Sequence, residues 1–140
     1  EAVKINSEHG TTTIALATVI NDGGDMLAVW IDGSTTAHNN RDLFSATVSS
    51  DSGVGALEIV GENWARVPSI SNSGSGEVLV AWGTSKLKAY SDGEWSNNGF
   101  LQGAYARPGI KIASASNGKA VASWLNSEGG SKNLFIARRY

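Results

Sequence analysis

Short apolar runs alternate with polar, glycine-rich segments along the whole chain. Three of the runs share one pattern, in which a Trp follows a Gly by six positions. Runs of this length that are rich in Val, Ile and Thr and bounded by Gly, Asn, Asp and Ser predict β-strands. No segment has the 3.6-residue periodicity of a useful helix. The sequence therefore predicts an all-β fold with a repeat, marked by Gly24 and Trp30, Gly76 and Trp82, and Gly118 and Trp124.

Each repeat continues with a polar loop and a second apolar run, so that four short strands follow one another with short connections. Four such strands form a meander, which is the unit of a propeller blade. The Trp recurs at spacings of 52 and 42 residues, periods typical of blades. We predict one domain over residues 1–140, with a strand at 1–6, blades at 11–60 and 64–103, and a blade at 105–140 that lacks its fourth strand.

The repeat also predicts a hairpin turn, the fourth strands and the burial of the Trp side chains. Asn21-Asp22-Gly23-Gly24 predicts a tight hairpin turn of the primed type, which needs positive φ angles. Residues 54–60 and 97–103 are predicted as fourth strands, and Ser91–Trp95 as a turn. The three repeated Trp side chains are predicted to lie in the core, with each indole N–H bonded to a backbone carbonyl.

Three blades are too few to close a ring, because propellers have about 4–8 blades. An open set would expose two blade faces and a strand edge. Strand 1–6 resembles the segment that closes the first unit, so it could complete the third blade of a second copy. We therefore predict a head-to-tail homodimer that forms a six-bladed ring with two-fold symmetry. The alternatives are a fragment of a longer propeller and a compact β-sandwich.

Composition narrows the possible partners. The formal net charge is −2, so a dominant electrostatic partner such as nucleic acid is not indicated. The chain has no cysteine, which excludes a disulfide framework and thiolate metal sites. No apolar run approaches the ~20 residues that span a bilayer, so no membrane insertion is predicted. Localisation stays open, with secretion or the periplasm favoured.

The Gly-x-Ala/Leu-x-x-x-Trp pattern, the Asn/Asp-Leu-Phe-x-Ala runs and the Ala-Arg-x-Pro entry resemble bacterial propeller repeats of secreted and surface proteins. This resemblance implies blades and no particular activity. Arg66-Val67-Pro68 also looks like the Arg-Ile-Pro motif of sialidases, which are six-bladed propellers. Ser49–Gly53 fits the opening of their Ser-x-Asp-x-Gly-x-Thr-Trp turn, although Val54 and Gly55 follow where Thr and Trp would be needed.

In a propeller, two kinds of loop lie on the same face. One kind joins consecutive blades, and the other joins the second and third strands of each blade. Arginine beside an aromatic residue suits a planar or anionic ligand, since the guanidinium forks onto a carboxylate and the ring offers a stacking surface. Aromatic side chains also stack on the apolar faces of sugar rings. The alternative is that Trp64 and Tyr105 pack between blades and the arginines pair with carboxylates. The candidate ligand-binding residues on this face are His9, Asn63, Trp64, Arg66, Tyr105, Arg107 and, on the longest loop, Arg41.

Other chemistry receives little support. His9 and His38 have no metal-ligand spacing, no calcium-loop motif is present, and no serine lies in a Gly-x-Ser-x-Gly elbow. We predict no metal and no cofactor. Paired carboxylates for glycoside hydrolysis stay open, with Glu62, Glu94, Asp92 and Asp32 as candidates.

The leading functional prediction is a non-enzymatic, lectin-like binding module for a carbohydrate or a small acidic ligand. The alternatives are a sialidase-like glycoside hydrolase and a structural or protein-interaction propeller.

Overall fold

The computed structural model describes residues 12–21, 23–33, 41–62, 65–74, 76–83, 86–96, 99–100, 109–128 and 131–139. These residues form three antiparallel sheets. The described part of the chain contains no helix, and therefore none that is long and apolar enough to cross a bilayer. The predicted all-β class is confirmed.

The first sheet is a meander whose strands pair in chain order. Residues directly opposite each other in antiparallel strands share a face of the sheet. Val19, Leu27 and Thr47 are opposite each other across three strands and therefore lie on one face. The alternate positions Met26, Ala28 and Trp30 mark the other. The strands are β1 (Thr12–Ile20), β2 (Met26–Gly33), β3 (Arg41–Ser49), β4 (Gly53–Val54) and β5 (Glu58–Gly61).

The second and third sheets repeat this order. The second contains β6 (Ser69–Asn72), β7 (Val78–Trp82), β8 (Lys86–Ser91), β9 (Glu94–Trp95) and β10 (Gly99–Phe100). The third contains β11 (Ile110–Ser114), β12 (Ala120–Glu128) and β13 (Ser131–Arg139), which are its three strands among the described residues.

The repeated glycines close the first hairpin of each sheet. Gly24, Gly76 and Gly118 have φ angles of 88°, 82° and 79°. In the first hairpin the Gly24 N–H donates to Asn21 O, and the Asn21 N–H donates to Asp25 O. The first hairpin of the third sheet has the equivalent two bonds. The Gly118 N–H donates to Ala115 O, and the Ala115 N–H donates to Lys119 O. This is a three-residue loop with one left-handed glycine, so the prediction of a primed turn at Asn21–Gly24 was wrong in turn type.

The fourth strand of the first sheet is interrupted, which differs from the continuous strand predicted at 54–60. Both β4 and β5 pair with β3, at opposite ends of it. Between them the Gly55 N–H donates to Thr47 O, and a Cβ at residue 55 would collide with the Thr47 hydroxyl. A bulge lies farther along, within the pairing of β5 with β3, where the register shifts between Leu43 and Phe44.

The second sheet shows the same break in its fourth strand, since both β9 and β10 pair with β8. The predicted turn at Ser91–Trp95 is shorter than expected, because Ser91 and Glu94 are paired strand residues. Asp92 and Gly93 form the turn, with φ angles of 52° and 85°. Two consecutive positive φ angles are typical of a type I′ hairpin, which Asp-Gly favours.

The principal core lies between the first and second sheets. Leu27, Val29 and Ile31 of β2 pack in one buried cluster with Val80 and Trp82 of β7. Trp82 is almost fully buried, and its indole ring lies against Gly61, where a Cβ would come within 2.6 Å of Cζ2. The glycine therefore creates the space that the ring of the neighbouring sheet occupies.

The second sheet packs on the third through its other face, where Ala81 clusters with Ile110, Ala122 and Trp124. Trp82 and Trp124 thus each lie on the face directed toward the preceding sheet. Their predicted core positions are confirmed. The predicted backbone partner of the Trp82 N–H was wrong, because its buried Nε1 has no hydrogen-bond acceptor.

Hydroxyl groups join the first strands of the second and third sheets. The Ile112 N–H donates to Ser69 Oγ at 3.0 Å, and the Ser114 N–H donates to Ser71 Oγ at 2.8 Å. These bonds satisfy backbone groups of β11 that have no sheet partner on that side. The chain is consequently a stack of three sheets in sequence order.

Candidate functional site

Two of the seven predicted ligand-binding residues, Arg41 and Arg66, lie in the described part of the chain. The other five, His9, Asn63, Trp64, Tyr105 and Arg107, lie outside the described residues.

The structure brings the segments that carry these two arginines together. The Ala65 N–H donates to Arg41 O at 3.0 Å, and Ala65 is buried in the principal core. Arg41 begins β3 and pairs with Gly33 at the end of β2. Both arginines are half-buried. One backbone hydrogen bond, anchored by a core alanine, thus fixes residue 66 next to the start of β3.

Two lysines of the second sheet reach the neighbouring edge. Lys88 Nζ donates to Val60 O at 2.9 Å, and Lys86 Nζ donates to Glu62 O at 3.1 Å. Both lysines line a groove of about 390 Å³ together with Gly61, Glu62 and Trp82. We call Lys86 and Lys88 the cationic edge, and Arg41 and Arg66 the arginine pair. The two are close in the chain, because Glu62, which Lys86 contacts, lies three positions before Ala65. Sequence reasoning missed the lysines, since nothing local to β8 indicates which carbonyls they contact.

A second groove, of about 460 Å³, lies at the opposite end of the first two sheets. It is surrounded by the hairpin turns of β1–β2, β3–β4, β6–β7 and β8–β9. Its lining combines apolar side chains with hydroxyl, amide and carboxylate groups. The lining residues are Val19, Asn21, Asp25, Met26, Leu27, Thr47, Ser49, Ser52, Gly76, Val78, Tyr90, Asp92 and Gly93.

Tyr90 is the aromatic residue of this groove. It pairs in register with Val78 on one side and Trp95 on the other, and its ring lies 5.0 Å from that of Trp95, at 54°. Burial, and secondarily the negative charge of Glu58, raises the pKa of Tyr90 above its usual value. A tyrosine hydroxyl is already protonated at neutral pH, since its ordinary pKa is about 10, so the Tyr90 hydroxyl is able to donate a hydrogen bond.

The carboxylates considered for glycoside hydrolysis lie at both ends of the strands, Asp32 and Glu62 at one end and Asp92 and Glu94 at the other. Their meeting across a ring stays a prediction. Asp32 is buried near the end of β2, and its Oδ1 accepts the Gly33 N–H at 3.0 Å. Asp92 lies in the β8–β9 turn, at the opposite end of the strands from Asp32. Glu62 and Glu94 are exposed in separate segments. Within the described ranges there is no group of three His, Cys, Asp or Glu side chains that could hold a metal ion.

The two ends of the stack carry exposed aliphatic side chains. On the outward face of the third sheet these are Val121, Leu125, Leu134 and Ile136. On the Trp30 side of the first sheet they are Leu16, Ile20 and Ile59. Trp30 itself is buried and stacks on Phe44, with ring centroids 6.2 Å apart. Exposed aliphatic side chains grouped in this way are typical of interaction surfaces. On the first sheet, Leu16 and Ile59 flank the buried Trp30 and Phe44.

No protein-family model matches this chain, and no curated protein is similar to it in sequence. The resemblance to propeller repeats and to sialidases therefore stays a prediction.

Proposed function

We propose that this chain is a propeller-type recognition module for a carbohydrate or a small acidic ligand, and that its three sheets are blades of a ring closed by a second copy. The observation that carries the closure is a change in burial between equivalent positions of the repeat. Leu27 and Leu79, three residues before their Trp, are 5% and 2% exposed, whereas Val121 is 41% exposed. Ile31, one residue after Trp30, is 1% exposed, whereas Leu125 is 36% exposed.

The physical reason is the direction in which the sheets stack. Leu27 and Ile31 are covered by the second sheet, and Leu79 lies on the face covered by the third. Val121 and Leu125 occupy the same repeat positions, but no following sheet covers them among the described residues. The outward face of the third sheet is thus built like an internal interface of the stack.

The matching surface is the Trp30 side of the first sheet. Trp82 and Trp124 each lie on the face that packs on the preceding sheet, and Trp30 has the equivalent position with no preceding sheet in the described chain. Leu16, Ile20 and Ile59 are exposed around it. A second copy that places this side on the third sheet of the first forms a head-to-tail contact, and two such contacts close a two-fold ring.

The closure is tested by the absolute mass in solution over a concentration series. We expect twice the chain mass for the native protein. The variants Leu125→Asp and Leu16→Asp each place a charge on one of the two surfaces and should give monomers. Asn117→Asp adds the same charge in an exposed turn, where its carboxylate still accepts the Lys119 N–H, and should stay dimeric.

Mixing the two monomeric variants separates a head-to-tail contact from a face-to-face one. A mixed dimer contains one junction without any substitution, so association should be partly restored. A native monomer at all concentrations, or a dimer that Leu16→Asp leaves intact, would refute this closure.

The recognition function is supported by the bond between Ala65 N and Arg41 O, which fixes two arginine-bearing segments side by side. Guanidinium groups held at neighbouring backbone positions suit a carboxylate or another planar anion. The cationic edge with Lys86 and Lys88 adds positive charge nearby. Trp64, adjacent in sequence, would supply a stacking ring.

Binding to a panel of sialylated and neutral glycans is the direct test. We expect Arg66→Ala to weaken binding about tenfold or more, as for the loss of a charge-assisted hydrogen bond, in a protein that stays folded. Lys119→Ala removes an exposed charge in the β11–β12 turn and should bind normally. Binding that is absent across the panel, or unchanged in Arg66→Ala, would refute the site. Turnover of a fluorogenic sialoside would overturn the non-enzymatic assignment.

A further inference from the structure

The groove at the hairpin end of the first two sheets is a separate site from the arginine pair. Arg41 lies at the Gly33 end of β2, whereas the groove begins at Met26 and Leu27, at the other end of the same strand. At about 460 Å³ it has the volume of a small-molecule pocket, typically some 300–1,000 Å³.

The floor and one wall of the groove are apolar and fixed by the sheets. Leu27 and Val78 are buried members of the principal core, and they face each other from β2 and β7. Tyr90 stands beside Val78 in the register of β8, and the ring of Trp95 supports its far side. These side chains present a rigid apolar surface with one aromatic ring.

The rim of the groove is polar, and its geometry is set by turns. Asp25 follows the left-handed Gly24, and its own N–H is held by Asn21 Oδ1 at 2.9 Å. Asp92 is fixed by the type I′ turn with Gly93. Thr47 and Ser52 add hydroxyl groups. The rim therefore offers carboxylate acceptors together with groups that both donate and accept.

The charge of the lining decides the class of ligand. Among the described residues that line the groove there is no lysine, arginine or histidine, while two are aspartates. An anionic ligand is therefore disfavoured. A bare metal ion lacks a set of three acidic or imidazole ligands in the described part of the chain. A neutral ligand with many hydroxyl groups and an apolar face fits both the rim and the floor.

We propose that the groove between β2, β3, β7 and β8 binds a neutral saccharide, with one sugar face on Tyr90, Leu27 and Val78 and its hydroxyl groups donating to Asp25 and Asp92. This site is additional to the one at Arg41 and Arg66. It takes the uncharged class of sugar, whereas the arginine pair takes the acidic class.

The test is calorimetric titration of the full chain with maltose, cellobiose and diacetylchitobiose, and with spermidine as a cationic comparison. Asp92→Asn is the informative variant, because Asn-Gly also favours a type I′ turn while the carboxylate acceptor is lost. We expect its affinity for the bound saccharide to fall about fivefold to tenfold, since bonds to charged acceptors are stronger than neutral ones. Asp51→Asn neutralises an exposed aspartate that does not line the groove and should bind as the native protein does.

Three results would overturn the proposal: no saccharide of the panel binds, spermidine binds in place of saccharides, or Asp51→Asn weakens binding as much as Asp92→Asn. Because the panel contains no acidic sugar, its failure would leave the proposed site at Arg66 standing. Conversely, failure of Arg66→Ala to affect acidic glycans would leave the groove standing.

Discussion

Replacing Gly61 by Ala tests the packing of the first two sheets most directly. A Cβ at this position would lie 2.6 Å from Cζ2 and 2.9 Å from Cε2 and Nε1 of Trp82. Carbon atoms in favourable contact are about 3.5–4.0 Å apart, so the indole would have to retreat by about 1 Å. Trp82 is 1% exposed within a packed core, so this movement would press the ring against its core neighbours.

The expected cost follows from these distances. Overpacking of a core by one methyl group costs about 1–3 kcal/mol. Alanine also lowers the entropy of the unfolded chain relative to glycine, which offsets about 0.4–1 kcal/mol. We therefore expect Gly61→Ala to lower the free energy of unfolding by about 1–2 kcal/mol. With a urea slope of about 1–3 kcal/mol/M, the unfolding midpoint should fall by roughly 0.3–2 M.

The assay is urea unfolding followed by tryptophan fluorescence and far-ultraviolet circular dichroism, at one protein concentration because assembly would shift the midpoint. Gly99→Ala is the matched control, since Gly99 also lies in an interrupted fourth strand. Its added Cβ would meet Leu87 O at an ordinary 3.4 Å. The midpoint of this control should change little.

A double variant isolates the contact itself. Trp82→Phe shortens the ring, so Gly61→Ala should cost less in the Trp82→Phe background, with a coupling of at least about 0.5 kcal/mol. The reasoning would be refuted if Gly61→Ala were as stable as the native protein, or if the two substitutions were additive.

The remaining predictions concern a turn, a titration and a cross-sheet bond. Gly118→Ala should destabilise by about 1 kcal/mol and Gly118→Asn by less, measured by urea unfolding, because φ is 79° although a Cβ would meet no atom within 4 Å. The raised pKa of Tyr90 means that the native state holds the phenolic proton more tightly than the unfolded state. The corresponding stability is present below pH ~10 and lost as pH rises through the raised pKa. Urea midpoints from pH 8 to 11 should therefore fall further in the native protein than in Tyr90→Phe. Lys88→Met should cost about 1–2 kcal/mol by thermal or urea unfolding, since it leaves the carbonyl of buried Val60 without its donor, and Lys86→Met at the exposed Glu62 carbonyl should cost less.

Much of the fold could be predicted because its signals are local. The glycine before each repeated Trp is required by a left-handed backbone at Gly24, Gly76 and Gly118, which is a property of a few consecutive residues. The burial of Trp30, Trp82 and Trp124 follows from their size and apolar neighbours. The interruptions of the fourth strands after Val54 and Trp95 were not predicted. Where a strand breaks depends on which residues of the neighbouring strand lie opposite it, and this is not visible in the local sequence.

The candidate site was harder to predict than the fold. The sequence indicated Arg66 through its neighbours, but its proximity to Arg41 depends on a bond between residues separated by more than twenty positions. The groove at Tyr90 gave no motif at all. Its lining comes from four turns and two sheets, and the local signals were those of separate turns, such as Asn21–Gly24 and Asp92-Gly93.

The sequence by itself determined the strand class, the three repeated hairpins and the apolar positions, since backbone conformation at glycine and the alternation of side chains are set within a few residues. Tertiary structure decided which face of each sheet meets the next one, the space that Gly61 leaves for Trp82, and the exposure of Val121 and Leu125 in contrast to Leu27 and Ile31. These equivalent positions are of the same apolar type in the sequence. Only the stacking order of the sheets makes them core at one end and an interaction surface at the other.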